Sequence, residues 1–381
     1  MSPPIAIIGG GPCGLTLARL LQCKGIDYIV YERDESEHSV RTGGSLDIHP
    51  ETGQRALQEA GLLDEFKKHA RYDDTVLTIA DKSGKKLLQM GQGRDAPEID
   101  RRELRKILLD SIPKEKIKWG HTLKSAVMDK DGRPVLHFGN GAVASGFALV
   151  VGADGAWSKI RPLVSPSTPQ YTGRSHLESH IPPSNPHHPT LSSQTGPGMT
   201  ISIASAKLII TQRQGDTSYR TYFGLQVPST FFQDKSKIDL QDPQRTREVL
   251  LSTFFSDWAE QYQDLIRHST DFRAWPLYTL PVEHLGWKSV PGVTLAGDAA
   301  HLAVPNGEGV NLAMKDALEL VNKIAEHGME HVDEAVKEYE AEMFPRGAES
   351  IRDGEMMAKV MFSEDPRPLV EMMTSFGAGA S

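Results

Sequence analysis

The sequence predicts an α/β protein in which a Rossmann-like nucleotide-binding domain is joined to a second domain. The first observation is an N-terminal unit: Ile5–Ile8 is apolar, a glycine-rich turn and a helical pattern follow, and a second apolar run ends at Glu32. Two later apolar runs, at 148–151 and 293–296, also lead into small residues and an acid. Between residues 165 and 197 the composition changes to Pro, Ser, His and Thr, which is typical of a crossing between domains.

The glycine turn has the spacing of a dinucleotide-binding βαβ unit. Gly9 permits a tight turn, Gly11 lets a pyrophosphate approach the backbone, and Gly14 allows the helix to pack closely on the strand. The diphosphate would lie on the free N–H groups near Pro12, and Glu32 would accept hydrogen bonds from the ribose hydroxyls. A simple turn between strand and helix would explain the glycines but not the acid.

Composition and charge exclude several classes of protein. The 381 residues carry a net charge of −8 without a long Lys/Arg block, which argues against a nucleic-acid partner. The two cysteines, Cys13 and Cys23, lie too far apart along the first helix to form a disulfide, as expected in a reducing compartment. The first strand begins at once and the longest apolar runs are strand-length. We therefore expect a cytoplasmic protein without a signal peptide or a membrane span.

Three arginines lie in the first turns of a helical pattern at 99–112. Because cations oppose the helix dipole there, Arg101, Arg102 and Arg105 need a compensating anion. A bound diphosphate would supply it, and so would the neighbouring acids Glu98 and Glu103. Both interpretations stay open on the sequence alone.

After the third apolar run, the sequence predicts a second helix N-terminus that could bind an anion or a carbonyl group. After Asp298, the segment 305–311 contains two glycines and an Asn directly before a long helical pattern. His301 lies between the two, and we expect it to shape the backbone rather than to transfer protons. Gly43 and Gly44 precede another short apolar stretch, where the backbone either approaches a ligand or simply turns.

Histidines in the segment between the domains invite a metal interpretation. His180, His187 and His188 lack Cys, Asp or Glu companions at ligand spacing. A solvated loop is therefore favoured, and no metal is expected.

Three stretches together resemble the fingerprints of class A flavin-dependent monooxygenases with the para-hydroxybenzoate hydroxylase fold. They are the glycine turn at 9–14, the stretch from Asp154 and Gly155 to Arg161, and the stretch 297–311. Within that family the chain is most similar to the tetracycline-inactivating enzymes, through 31–33, 43–49, 98–105, 255–258 and 297–302. The resemblance implies an FAD-binding domain, an inserted substrate domain on a mostly antiparallel sheet, and a C-terminal helix that bridges them.

The implied domains are discontinuous in the chain. The FAD-binding domain would comprise residues 1–70, 94–165 and 276–328, and the substrate domain residues 71–93 and 166–275. Residues 329–364 would form the bridging helix, and residues 365–381 a tail. We expect a monomer, because that helix braces the two domains.

The resemblance also implies residues that bind FAD and a transient NADPH co-substrate. Glu32 would hold the adenosine ribose, Arg33 the adenine side, and Arg101 the pyrophosphate. Asp298 would hold the ribityl or pyrophosphate portion, Asp47 would touch the flavin, and Arg41 is a candidate for NADPH. The other implied cofactor-binding residues are Gly9, Gly11, Pro12, Cys13, Gly14, Gly44, Val127, Asp154, Gly155, Pro305, Gly309, Val310 and Asn311.

The implied reaction is hydroxylation of a polycyclic or phenolic small molecule by O₂, through a flavin C4a-hydroperoxide, with tetracycline inactivation as one form of it. Positions near the family's substrate contacts hold Glu178, Met199, Tyr222 and Gly224. No catalytic acid, base or nucleophile is assigned, because the cofactor carries the chemistry. Alternatives are a hydroxylase of another aromatic or secondary metabolite, a flavin-dependent reductase or oxidase, and a flavoprotein that only sequesters such a ligand. The acids at 154 and 298 argue against a plain NAD dehydrogenase.

Overall fold

A computed structural model describes residues 3–39, 43–73, 75–91, 93 and 95–378. The chain divides into two compact units. Unit 1 comprises residues 1–70, 101–170 and 278–355, and unit 2 comprises residues 71–100, 171–277 and 356–381.

The helices and strands alternate along most of the chain. Up to residue 118 they are β1 (Ile5–Ile8), α1 (Pro12–Cys23), β2 (Tyr28–Tyr31), β3 (Ser45–Asp47), α2 (Arg55–Glu59), α3 (Leu63–His69), β4 (Leu77–Asp81), β5 (Lys86–Met90), β6 (Glu98–Asp100), α4 (Arg101–Asp110) and β7 (Ile117–Lys118). Up to residue 226 they are β8 (Leu123–Met128), β9 (Pro134–Phe138), β10 (Val143–Ala144), β11 (Leu149–Gly152), β12 (Gln170–Ile181), α5 (His188–Thr195), β13 (Met199–Ala204), β14 (Lys207–Arg213) and β15 (Tyr219–Gln226). The remaining elements are α6 (Pro243–Val249), α7 (Glu260–His268), β16 (Thr270–Thr279), β17 (Val293–Leu295), α8 (Asp298–His301), α9 (Gly309–His327), α10 (Val332–Met361) and α11 (Arg367–Ala378).

Unit 1 contains a parallel five-stranded sheet in the order β17-β11-β1-β2-β7. The residues of β1, β11 and β17 are all buried, as expected for a parallel sheet covered on both faces. The carboxyl ends of parallel strands meet at one edge of a sheet, where ligands bind in folds of this kind. The glycine turn, Glu32, the Asp154 loop and the Asp298 loop follow four of these strand ends, so the fold gathers the three motifs.

Unit 2 contains a seven-stranded sheet in the order β16-β12-β15-β14-β13-β4-β5. Neighbouring strands from β12 to β13 along this order are antiparallel, as are β4 and β5, while β13 and β4 are parallel. One face packs against aromatic side chains at 254–262, including Phe255, Trp258 and Tyr262. The other face packs through Ile201 and Leu208 against Phe362 and Leu369. The expected fold class, a Rossmann-like domain with a mostly antiparallel second sheet, is confirmed.

The described C-terminal region contains one more helix than expected. The long helix expected near 332–362 is α10, but the expected tail at 365–381 contains α11. Leu369 is fully buried, and Val370, Met372 and Met373 pack beside it against the sheet of unit 2. This apolar stripe at helical spacing is the physical reason for the extra helix. No helix in the described part of the chain is long and apolar enough to cross a membrane.

Candidate functional site

The glycine turn forms a tight connection from β1 to α1. Gly9 has a φ of +110°, and a Cβ there would lie 2.4 Å from the carbonyl oxygen of Ala153. A Cβ at Gly14 would lie 2.0 Å from the carbonyl oxygen of Gly9, so glycine is required for this close packing. Gly11 precedes α1, which begins at Pro12, and no described side chain caps the helix. The first N–H groups of α1 are therefore available to an anion.

Glu32 lies at the end of β2 and is only 1% exposed. Its carboxylate accepts hydrogen bonds from the backbone N–H groups of Gly10 and Asp34, the latter at 3.0 Å. A Cβ at Gly10 would lie 2.7 Å from one of its carboxylate oxygens. The acid implied to bind ribose is therefore held firmly against the glycine turn.

Two arginines at the start of α4 have protein partners. Arg105 donates from Nε to the carbonyl oxygen of Gly10 at 3.3 Å and pairs with Asp34 at 2.9 Å. Arg102 pairs with Glu103 at 3.4 Å. A neighbouring acid thus compensates Arg102 as one interpretation expects, whereas the partner of Arg105 is an acid that the sequence analysis did not single out.

Arg101 opens α4 and lies beside the glycine pair. A Cβ at Gly43 would lie 2.8 Å from Cδ of Arg101, so one glycine of the pair makes room for this side chain. Gly44 follows directly, and Arg33 is exposed just after β2. Arg41, the implied NADPH residue, lies outside the described residues.

Hydrogen bonds fix the loop after β11. Asp154 accepts from the N–H of Lys159 at 2.7 Å, and the hydroxyl of Ser158 accepts from the N–H of Arg161 at 3.0 Å. Desolvation raises the pKa of Asp154. Gly155 has a φ of +79°, and a Cβ there would meet no atom within 4 Å.

Arg161 connects the second motif to the third. It is buried and donates from Nε to the carbonyl oxygen of Ala299 at 2.8 Å and from Nη2 to that of Asp298 at 3.0 Å. The Asp298 side chain reaches solvent, yet desolvation by the protein around it raises its pKa. Its charged form would gain from a ligand that donates a hydrogen bond.

Asp316 of α9 supports the backbone that carries Asp298. It is fully buried and accepts from the N–H of Gly297 at 2.8 Å, from Nε2 of His301 at 2.6 Å and from Arg346 at 2.9 Å. Burial favours the neutral acid, but His301 and Arg346 outweigh it and lower the pKa of Asp316. His301 is therefore a buried partner of Asp316, and Asp316, whose role was missed, holds the backbone N–H of Gly297.

Two glycines let α10 approach the third motif. A Cβ at Gly347 would lie 2.8 Å from Cβ of His301, and a Cβ at Gly354 would lie 2.6 Å from the carbonyl oxygen of Val304. Seven residues separate these glycines, so both lie on one face of the helix.

Helix α9 begins at Gly309 without a side-chain cap from the described residues. Gly309 is exposed, and a Cβ there would meet no atom within 4 Å. Pro305 is also exposed, and Val310 is half-buried. The helix therefore presents free N–H groups beside open space.

Asn311, in the first turn of α9, is buried and joins the helix to β3. Its amide donates to the carbonyl oxygen of Asp47 at 2.9 Å and accepts from the N–H of His49 at 2.8 Å. The structure thus brings Asp47 next to the start of α9, as their shared implied role in flavin binding requires.

Two further implied residues have different surroundings. Cys13 is buried in α1, and its burial, with smaller contributions from Asp316 and Asp298, raises the pKa of the thiol well above its usual value. It is therefore a neutral packing group. Val127 of β8 is 48% exposed.

The residues of unit 1 fit an FAD molecule. Within the described residues, no side chain caps α1 or α9, and a Cβ at Gly155 or Gly309 would enter space that no described atom occupies. Asp298 is a solvent-reaching carboxylate between them in the motif order. These groups are suited to a diphosphate, a polyol and an electron-accepting ring.

The four implied substrate residues lie on one face of the unit 2 sheet. Glu178 of β12 is paired with Tyr222 of β15, and Gly224 is paired with His176 on the same strands. The cross-strand pairs of β15 with β14 and of β14 with β13 place Met199 of β13 on the same face. Directly paired residues project to the same side of a sheet, so the structure brings these positions together.

Glu178 is not an available charge on this face. It is 5% exposed, pairs with Arg220, and accepts from Nε1 of Trp275 at 3.0 Å. Neither partner was identified from the sequence, because they lie 42 and 97 residues away.

His176 is a further aromatic residue of this face that sequence reasoning missed. Its ring lies 5.9 Å from that of Tyr222 and 6.2 Å from that of Phe362, stacked on the latter at 15°. Desolvation lowers its pKa to about 4, so the imidazole is neutral at pH 7. Only the alternation of polar and apolar residues along β12 could have suggested it.

The expectation of a solvated loop for the histidines at 180–188 is wrong: they belong to unit 2, where His180 lies in β12, His187 is buried and His188 opens α5. His187 stacks on His268 at 4.8 Å, and His188 contacts the carbonyl oxygen of Thr217 at 2.8 Å. Within the described residues, no group of three His, Cys, Asp or Glu side chains is placed to hold a metal ion.

Comparison with known proteins identifies relatives over nearly the whole chain. The model of the FAD binding domain family matches residues 3–353. Monooxygenase asqM of Emericella nidulans is 30% identical over 374 residues, which cover 84% of this chain and 83% of the relative.

Two solved structures share the fold. Klebsiella pneumoniae HpxO, complexed with FAD and uric acid, has a TM-score of 0.78 at 21% identity and covers 98% of this chain and 92% of its own. Tetracycline destructase Tet(55) has a TM-score of 0.76 at 19% identity and covers 99% of this chain and 95% of its own. The resemblance to tetracycline-inactivating enzymes thus extends through the fold.

Proposed function

The chain belongs to the FAD binding domain family and is an FAD-dependent monooxygenase, and we propose that it uses NADPH and O₂ to hydroxylate an uncharged aromatic or polycyclic small molecule. When bound, FAD supplies the electron transfer and the activation of O₂. The chain binds the cofactor, orients it and excludes water. A reductase, an oxidase and a sequestering protein are the alternatives, and each predicts a different result when NADPH oxidation and O₂ uptake are measured.

The proposed cofactor contacts follow the motif order. The N–H groups at the start of α1 bind the diphosphate, with Arg101 beside them, and Glu32 binds the adenosine ribose. Asp298 accepts hydrogen bonds from the hydroxyls of the polyol. The N–H groups of Gly309 and Val310 face the pyrimidine side of the ring, where they stabilise developing negative charge.

The substrate class is supported by the face of the unit 2 sheet that carries Tyr222, His176 and Met199. Its acid, Glu178, is already neutralised by Arg220 and bound to Trp275. A neutral imidazole and a phenol offer stacking surfaces without net charge, which favours a flat, uncharged ring system over a carboxylate. Uric acid, bound by HpxO, is a flat heteroaromatic molecule, and the tetracycline of the destructases is polycyclic.

The test is to load the purified protein with FAD and to follow NADPH oxidation and O₂ uptake. The panel comprises simple phenols, flat uncharged heteroaromatics, tetracyclines and benzoates. We expect ligand-stimulated NADPH oxidation with the uncharged ring compounds, and one atom of ¹⁸O₂ in the product. Ligand binding without stimulated oxidation would indicate sequestration, and stimulated oxidation without oxygen incorporation would indicate an oxidase or reductase. NADH in parallel reactions tests the choice of co-substrate.

Tyr222 provides a matched pair of variants for the substrate face. Replacing Tyr222 with Leu removes the ring and should raise KM for the best substrate by about tenfold, because aromatic contacts contribute about 1 kcal/mol or more. Tyr222→Phe keeps the ring, and its KM should stay near that of the native protein. Equal effects of both variants would contradict a stacking role.

We also propose that the protein acts in the cytoplasm as a monomer. Both described cysteines are free, and one of them is exposed, which suits a reducing compartment. Sedimentation of the FAD-loaded protein at micromolar concentration tests the oligomeric state.

A further inference from the structure

His49 lies between two carboxylates at the start of α9, within unit 1. Its Nε2 is 2.9 Å from Oδ2 of Asp47, and its Nδ1 is 3.1 Å from Oε1 of Glu308. A carboxylate accepts hydrogen bonds and does not donate them. Both ring nitrogens must therefore carry a proton, and the group is an imidazolium.

The neighbouring carboxylates stabilise the positive charge of His49. Burial opposes the charge, but the hydrogen bonds and charges of Asp47 and Glu308 prevail and raise the pKa of His49 to about 9. The His49 side chain is 21% exposed, against 30% for Asp47 and 43% for Glu308. The three residues, which we call the His49 clasp, carry a net charge of −1.

The position of the clasp relative to α9 is fixed by backbone contacts. Asn311 binds the N–H of His49 and the carbonyl oxygen of Asp47 through one amide. Glu308 immediately precedes Gly309, where the free N–H groups of α9 begin. The charge of the clasp therefore lies beside the positive end of this helix.

We propose that His49 is a positioning residue that sets the charge beside the start of α9, and through it the relative affinity for reduced and oxidised flavin. The inference rests on the proposed placement of the flavin at Gly309 and Val310. Reduction adds negative charge to the ring system, so each negative charge added to the clasp disfavours the reduced form. Each negative charge removed favours it.

Two variants change the charge in opposite directions. In His49→Gln the clasp changes from −1 to −2, and in Glu308→Gln it changes from −1 to 0. At pH 7 we expect His49→Gln to weaken binding of reduced relative to oxidised FAD by about tenfold, which lowers the two-electron midpoint potential by about 30 mV. Glu308→Gln should raise the midpoint potential by a similar amount. Glu59→Gln, which removes an exposed acid of α2, is the matched control and should leave the potential unchanged.

The measurements are the FAD dissociation constant by flavin fluorescence and the midpoint potential by dye equilibration in the FAD-loaded protein. A purely structural role predicts weaker binding of both redox forms and no opposite displacement of the potential, and that result would overturn the inference. If His49→Gln does not retain FAD, the Glu308→Gln measurement decides alone, because an unchanged or lowered potential contradicts the inference. Failure of the native protein to bind FAD or to oxidise NADPH would instead refute the proposed function.

Discussion

Gly14 and Gly309 are both implied cofactor glycines, but their surroundings differ. A Cβ at Gly14 would lie 2.0 Å from a backbone oxygen, whereas a Cβ at Gly309 would meet no atom of the described residues within 4 Å. We expect Gly14→Ala to lower the melting temperature of the apoprotein and to impair FAD binding. Gly309→Ala should leave apoprotein melting unchanged or slightly raised, because Ala favours a helix, while FAD affinity falls about tenfold or more. Calorimetry and FAD titration separate the two effects, and unaltered affinity in Gly309→Ala would argue against a ligand beside it.

The His49 clasp also predicts a dependence of stability on pH. The pKa of His49 rises on folding from 6.5 to about 9, so its contribution is complete below pH 6.5 and is lost as the pH rises through 9. Glu308 is 43% exposed, and solvent screening therefore reduces the contribution to about 1 to 2 kcal/mol.

The check is urea unfolding of the native apoprotein and His49→Gln at pH 6 and at pH 9.5. The difference in unfolding free energy between the two proteins should be largest at pH 6 and close to zero at pH 9.5. Because the two proteins differ only at position 49, the comparison cancels the titration of groups distant from the clasp. A constant difference at both pH values would show that this histidine is not charged by its neighbours.

Sequence reasoning at the residue scale succeeds where a motif is local. The spacing of Gly9 to Gly14 and the acid at the end of the next strand are readable from thirty consecutive residues. The His49 clasp is not, because Glu308 follows His49 by more than 250 residues. Likewise, Glu178 looks like a free charge until the register of β12 and β15 brings Arg220 beside it.

At the scale of elements, Asp316 connects α8, α9 and α10. It is fully buried and contacts His301, Arg346 and the N–H of Gly297. Replacing it with Asn removes the countercharge of the buried His301, whereas Arg346 keeps a second carboxylate partner, and the loss should cost about 3 kcal/mol in unfolding free energy. Glu326→Gln on the exposed part of α9 is the control and should cost less than about 0.5 kcal/mol. Urea unfolding measures both, and equal stability of the two variants would disprove the structural role of Asp316.

Helical elements were easier to predict than their contacts. The apolar spacing of α9 and α10 gives both helices, yet nothing in the sequence shows that Gly347 and Gly354 lie against the third motif. Helix α11 was missed because Pro366, Pro368 and the terminal glycines weigh against a helix, whereas its apolar stripe packs on the unit 2 sheet.

At the scale of the whole molecule, FAD should stabilise the chain by mass action. When the free ligand concentration is one hundred times the dissociation constant, binding adds about 2.7 kcal/mol to the unfolding free energy of the protein. For a unit of this size, that raises the melting temperature by about 5 to 11 °C. Scanning calorimetry with increasing FAD tests this, and FMN, which lacks the adenosine moiety, should give a smaller rise. Equal rises with FAD and FMN would contradict a role for Glu32 in binding the ribose.

The general architecture was predictable because four of the five parallel strand ends carry a recognisable motif. Several limits of the two compact units were harder to place, since three of their five sequence boundaries fall inside a continuous strand or helix. The division between units within α10, after residue 355, is one example. A helical pattern contains no signal for such a boundary.

The order β17-β11-β1-β2-β7 has a consequence for synthesis on the ribosome. Strand β1 is synthesised well before its partners β17, at 293–295, and α9, which lie almost 300 residues further along the chain. At about 5 to 20 residues per second, the N-terminal glycine turn waits about 15 to 60 seconds for these partners. During that time its apolar strand and helix need shelter from other nascent chains. Translation speed and chaperone supply, rather than final stability, should therefore limit the yield of this protein in a heterologous host.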